Sequence, residues 1–155
     1  MAMFPVAGAR IYIGPELDDK NEDFVAADFP AAESPDWVEI DGWQTMGSIA
    51  ETANQITGSL INRGRDYMMK GTFSASTMDN VFVILPDDPG QLALRRAINS
   101  RRNFAIRIVF PTGGARMFIA LVMSGGDQGG EANTAATMNV QLARNSNIVL
   151  VAPAA

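Results

Sequence analysis

Phe104-Ala105-Ile106-Arg107-Ile108-Val109-Phe110-Pro111-Thr112-Gly113-Gly114 is the stretch that decides the fold. Phe104, Ile106, Ile108 and Phe110 fall on one side of a strand and Ala105, Arg107 and Val109 on the other, the period-two pattern of β-structure. The segment 111–114 is a turn and 116–123 returns, which predicts a hairpin over 104–123. Ala105 and Val109 make the second side partly apolar too, so this side should also be covered, by the helix or by another subunit.

Working upstream, the period changes to that of a helix. The Asp88 carboxylate is placed to accept from the amide of Gln91, Pro89 takes a first helical position where no donor is missed, and Gln91 can reach back to complete a capping box. Leu94, Ala97 and Ile98 share one stripe while Arg95, Arg96, Asn99 and Arg102 fall elsewhere. Arg101 and Arg102 suit the negative end of the helix dipole, and Asn103 is a reasonable stop, so the helix is predicted over about 88–102.

Further strands are read on both sides. Residues 9–13 alternate and stop at Gly14-Pro15, and 37–40 is a short strand. Residues 54–61 are a weak strand interrupted by Gly58, and 71–85 is a stronger one. The glycine-rich segment 124–130 reads as a flexible loop; 132–142 alternates with Thr134, Ala136, Met138, Val140 and Leu142 on one face, and 148–151 is a last strand or extended tail. The acidic stretch 16–36, with Pro30 and Pro35, reads as a long surface connection. The class is α+β, mainly β: a β-sandwich or curved antiparallel sheet flanked by one helix. A single domain over 1–155 is expected, with extended segments at about 1–8 and 148–155.

Composition removes several functions. With no cysteine and no histidine, disulfides, thiolate nucleophiles, Ser-His-Asp arrangements and imidazole metal sites are all excluded. An enzyme here would have to work with carboxylates, lysine or tyrosine. No cofactor or metal site is read: 125–130 lacks the lysine and hydroxyl residue of a phosphate loop, and the acids of 16–23 lack calcium-loop spacing. Carboxylate pairs for glycoside hydrolysis depend on a spatial separation the sequence does not give. The longest apolar run, 117–123, is too short to cross a bilayer as a helix, so no membrane partner is expected. The start, Met1-Ala2-Met3-Phe4-Pro5, lacks the features of a secretory signal.

Charge is divided along the chain. Residues 1–60 carry eleven acids against Arg10 and Lys20, a net −9, while the remainder nets +4 within a total of −5. Oppositely charged halves suit head-to-tail assembly; the plainer alternative is two solvated faces. Arg95, Arg96, Arg101 and Arg102 do not make a nucleic-acid site, because the sequence pI is about 4.6 and no aromatics interleave with them. Met68 and Met69 are neighbours on an extended segment, so they point to opposite sides and one of them is a candidate for a partner surface.

Several segments also occur in a telling order: Gly47-Ser48-Ile49-Ala50-Glu51-Thr52, Arg65-Asp66-Tyr67-Met68-Met69-Lys70-Gly71, Asp88-Pro89-Gly90-Gln91-Leu92-Ala93-Leu94-Arg95, Phe104 to Ile108, and Asn145-Ser146-Asn147-Ile148. In order and spacing this resembles the major tail tube proteins of long, non-contractile-tailed bacteriophages and of gene transfer agents. The resemblance covers about 37–148 and implies a β-sandwich flanked by a helix, six copies per ring, and rings stacked into a plain hollow tube without a decoration domain. It implies an arm over about 46–70 that reaches an adjacent ring, with Met46, Gly47, Ile49, Ile56, Arg63, Arg65, Tyr67, Met68, Met69 and Lys70 at the subunit interface. Implied partners are further copies of the chain, a tape measure protein, tail tip and tail terminator proteins, and genomic DNA passing non-specifically through the lumen. The location would be the virion tail, after assembly in the host cytoplasm. A conduit needs walls that do not hold the polymer, and an acidic inner surface meets that requirement.

Two rivals stand beside this reading. One is a related tube subunit from a contractile tail or type VI-like secretion machine. The other is a β-sandwich ligand-binding module, which would need exposed aromatics in a cleft, whereas Trp37, Trp43, Tyr12 and Tyr67 are the only tryptophans and tyrosines.

Overall fold

The computed structural model describes residues 3–152; of the expected terminal extensions, residues 1–2 and 153–155 lie outside the described residues. In chain order the elements are β1 (Arg10–Glu16), a 3-10 turn (Ala26–Asp28), β2 (Val38–Ile40), β3 (Trp43–Thr45), β4 (Glu51–Leu60), β5 (Arg65–Ala75) and β6 (Thr77–Val83). After these come α1 (Pro89–Ile98), β7 (Phe104–Val109), β8 (Ala115–Gln128), β9 (Thr137–Arg144) and β10 (Val149–Val151). The α+β class, strongly weighted to strands, is as the sequence predicts.

The main sheet runs β2-β1-β7-β8-β9-β6-β3, with β10 beside β8, and every pairing is antiparallel. Strand β8 belongs to both halves. Its first part, Ala115 to Ala120, pairs with β7, and its second part, Ala120 to Gln128, pairs with β9. A bulge between Val122 and Ser124 bends it there, so the two halves curl toward each other. Inside the curl sit Ile11, Ile13, Ile106, Ile108 and Phe118 from one half and Phe82, Met138, Val140 and Leu142 from the other, closed by Leu94 and Ala97 of α1. Each large apolar side chain so buried contributes about 1.5–3 kcal/mol.

A second apolar layer lies on the opposite face of β1 and β7. The stretch read as a surface connection folds back, and its Phe24 and Phe29, with Trp37 just after it and ahead of β2, are buried against Ala105, Met117, Ile119 and Val149. Asn147 pins it: Phe24 N donates to Asn147 Oδ1 at 2.7 Å and Asn147 Nδ2 donates to the Phe24 carbonyl at 3.0 Å. Cover for the Ala105 side therefore comes from this segment, not from the helix, because three aromatics in an otherwise acidic loop have no other apolar surface to bury.

Other expectations change for local reasons. Strand β1 continues through Gly14-Pro15 as an irregularity in its register with β7, a place where proline's missing donor costs no ladder bond. The strand read over 71–85 breaks at Ser76, so that 65–75 and 77–83 belong to different sheets. The helix stops at Ile98 because the Asn99 and Ser100 amides turn back to the Arg96 and Ala97 carbonyls, at 3.2 and 3.1 Å; Arg95 and Arg96, not Arg101 and Arg102, occupy its last turn. Ser124 to Gln128 are strand, not loop, since the ladder with β9 continues through the glycines. Met138, Val140 and Leu142 are buried as expected, but Thr134 and Ala136 precede the strand and are exposed. Strand β3, at the edge of the sheet, was not anticipated. Residues 6–9 make a turn closed by Ala9 N to the Val6 carbonyl at 2.9 Å, where an extended segment was expected.

Asp88 caps the helix as predicted, accepting from Gln91 N at 3.0 Å, yet Gln91 does not complete the capping box. Its buried amide instead accepts from Leu85 N at 3.0 Å and donates to the Asp41 and Val83 carbonyls at 2.8 Å each. Those three backbone groups lie where strands end and have no ladder partner, so the side chain takes that role. Asp88, which also accepts from Asp41 N at 3.1 Å, and Gln91 thus tie the helix start, with Pro89 as its first residue, to the ends of β2 and β6.

Candidate assembly interface

Strands β4 and β5 form a two-stranded sheet of their own. Their register places Ile56 opposite Met69, Thr57 opposite Met68, Gly58 opposite Tyr67 and Leu60 opposite Arg65. The tip closes when the Arg63 and Gly64 amides both donate to the Leu60 carbonyl at 3.2 Å. Short polar links hold the strands further: Ser59 Oγ to Asp66 Oδ1 at 2.6 Å and Asn54 Nδ2 to Thr72 Oγ1 at 3.1 Å.

This hairpin carries apolar groups that the described residues leave exposed. Met68 is 70% exposed and Met69 53%, on opposite faces, with Ile56, Tyr67 and Phe73 also exposed. A lone two-stranded ribbon is marginal in water, and exposed apolar surface of this kind marks an interaction site. Both faces of the arm therefore call for a partner.

The base of the arm is anchored to the main sheet by contrast. Gly47 crosses β6 so closely that a Cβ there would stand 2.3 Å from the Asp79 carbonyl oxygen. Its amide donates to the buried Asn80 Oδ1 at 3.1 Å, which also accepts from Trp43 Nε1 at 3.2 Å. At the end of β9, Arg144 is buried; its guanidinium pairs with Glu51 at 3.0 Å and donates to the Ser146 carbonyl at 2.8 Å and to the Ala50 carbonyl. Beside this lock lies an open groove of about 620 Å³, lined by Met46, Ile49, Phe110, Ile148 and Leu150, with Glu51 and Arg116 at its polar margin.

The sequence-predicted interface residues divide accordingly. Met46, Gly47 and Ile49 lie at the base, Ile56, Tyr67, Met68, Met69 and Lys70 on the ribbon, Arg63 in the tip and Arg65 at the start of β5. The arm extends further than about 46–70, to Ala75, and brings in Phe73. Arg144 was missed, although an arginine two places after Leu142 in a buried alternation is a legible signal for a paired cation. Among the described residues no cluster of three or more acidic, histidine or cysteine groups could hold a metal ion, and no helix is long and apolar enough to cross a membrane.

No protein-family model and no curated protein matches the sequence. Solved structures do match in fold. The SPP1 tail tube superposes with a TM-score of 0.63 at 13% identity, over 94% of this chain and 78% of that one. The chain has the tail tube fold. A chain of the gene transfer agent tail, solved with C6 symmetry, gives a TM-score of 0.61 at 15% identity over 80% of this chain and 92% of that one. The same tail tube fold extends to contractile systems: a chain from the anti-feeding prophage baseplate reaches 0.66 at 11% identity over 97% of both chains.

Proposed function

We propose that the protein is a structural subunit that assembles with copies of itself, in stacked rings of six, into the hollow tail tube of a long non-contractile-tailed phage or gene transfer agent. The observation that carries this reading is the arm: a ribbon with a locked base and two apolar faces that the described residues leave exposed, the mark of an interaction site. The tail tube fold and the six-fold symmetry of the gene transfer agent tail support it. In this reading the lumen surrounds a tape measure protein and later conducts DNA, tail tip and terminator proteins close the ends, and subunits assemble in the host cytoplasm before residing in the virion tail. The work is done by geometry and charge, with no bond made or broken.

The test is removal of the arm without its base. Residues 47–50 and Glu51 hold the base to β6 and Arg144, so the informative deletion is 52–74, bridged by a short glycine linker. The expected product is a folded monomer that forms no tubes in negative-stain microscopy or sedimentation. Normal tubes from this variant would overturn the assignment.

A second reading has its own support: the anti-feeding prophage baseplate chain and a sheath/tube terminator structure of an extracellular contractile injection system both superpose at a TM-score of 0.66. It makes the chain an inner tube or terminator subunit of a contractile machine. A sheath gene beside this one, and sheath subunits that bind the assembled tube, would favour it.

A further inference from the structure

The curl of the main sheet has two open sides, and they are closed differently. On one side α1 lies across β1, β2 and the second part of β8, with Ile98 against Gly125 and with Leu94 and Ala97 in the core. On the other, between β10 and residues 46–51 beyond β3, the cover is incomplete. The groove lined by Met46, Ile49, Phe110, Ile148 and Leu150 opens there, and Leu150 is largely exposed at its rim.

The two sides are also opposite in charge. Gly90, Gln91, Leu94 and Ala97 form the buried stripe of α1, so the outward stripe is Leu92, Arg95, Arg96 and Asn99, at helical spacing. Leu92 is 48% exposed beside these arginines, and Arg101 and Arg102 follow the helix. Arg95 pairs with Asp127 and Arg102 with Glu16, whereas Arg96 and Arg101 enter none of the ion pairs among the described residues. The groove has acids at its margin. Glu51 lines it, its carboxylate 35% exposed beyond the bond to Arg144. Glu22 and Asp23, both exposed and without an ion pair among the described residues, directly precede Phe24, which Asn147 pins next to Ile148 of the groove. Arg116, the one cation among the lining residues, is stacked on Phe110 at 5.2 Å.

We propose that the groove of one copy receives the outward stripe of α1 from the next copy in the same ring, with Leu92 on the apolar floor and Arg96 and Arg101 facing Glu51, Glu22 and Asp23. This pairing rests on the tube reading. Groove and stripe lie on opposite sides of one domain, so the two cannot meet within a chain and their contact is head to tail. A head-to-tail contact repeats from copy to copy and closes into a ring where the rotation allows it. Leu92 and Leu150 supply an apolar centre, and the opposite charges around it fix the register more than they add affinity. The incomplete side of the core is then finished by a neighbour's helix, as the other side is by the chain's own.

The chain has no cysteine, so an introduced pair reports contact without background. The double variant Leu92→Cys/Leu150→Cys and each single variant are assembled into tubes, treated with a short bis-maleimide, denatured and separated by size. The double variant should give a ladder of covalent species that ends at six copies, while the single variants stay as single chains. A cross-link in either single variant, a ladder running past six, or no ladder from tubes that form normally overturns the pairing and leaves the tube reading intact. A second pair of variants uses only exposed positions and does not depend on the cysteines. Arg96→Glu/Arg101→Glu and Glu22→Lys/Asp23→Lys should each lose tubes alone and regain them when mixed in equal amounts, because alternating copies restore both contacts around an even-numbered ring. Wild-type assembly by either variant alone, or no recovery on mixing, overturns the pairing. Wild-type protein that forms no tubes overturns the reading on which it stands.

Discussion

The ring of Tyr67 lies across Gly58 of the facing strand, so close that a Cβ at position 58 would stand 2.6 Å from its ring atoms. Gly58, which looks like an interruption in the sequence, is where the arm makes room for its aromatic side chain. Gly58→Val should push the ring off the ribbon and weaken tube formation. Because the arm lies outside both apolar clusters, the thermal midpoint of the monomer should barely move. Sedimentation and calorimetry on the same sample check this, and a large fall in the midpoint would show that the ribbon supports the core.

Arg144 and Glu51 are separated by 93 residues yet close the base of the arm. The Arg144 side chain is 3% exposed, so truncating it strands two carbonyls and a carboxylate at once. Arg144→Ala should destabilise the folded monomer by about 3 kcal/mol, because the Ser146 and Ala50 carbonyls lose their donor along with the packing of the buried stem. Glu51→Gln, which keeps an acceptor at a partly exposed site, should cost clearly less. Urea denaturation of both variants measures the difference.

The groove beside that lock gives a separate prediction. Leu150 is 68% exposed at its rim and Met68 stands free on the arm. Leu150→Glu and Met68→Glu should each leave the melting curve unchanged and abolish tubes, since a charge at an apolar contact is costly only once the contact forms. Assembly at wild-type concentration by both variants would remove these surfaces from the interface.

A last prediction concerns acid. The Lys20 ammonium and the Val25 amide hold the Asp28 carboxyl below its ordinary range. A carboxyl lowered on folding contributes stability that is present above its unfolded pKa and lost as pH falls through its folded pKa. Asp28→Asn should therefore melt earlier than wild type near neutral pH, with the two converging once acid has protonated Asp28. Melting temperatures measured from neutral to acid pH follow the gap; a constant gap would exclude linkage through this residue.

Much of this was open to reading in the chain itself. The alternation of Phe104 to Phe110 and the Asp88-Pro89 start place a hairpin and a helix correctly, because both depend on neighbours within a few residues. Composition likewise removed thiolate and imidazole chemistry without any coordinates. Met68 and Met69, two large apolar neighbours that one core could not accept, marked a partner surface, while the arm itself was implied by the resemblance. What the order of residues left undecided is which element covers which face: Phe24, Phe29 and Trp37 close over Ala105, Gln91 serves the Asp41 and Val83 carbonyls and the Leu85 amide, Arg144 meets Glu51, and Ser76 divides one predicted strand between two sheets. Most of these join parts far apart in the chain, and a local period reports that a surface must be buried without naming what buries it.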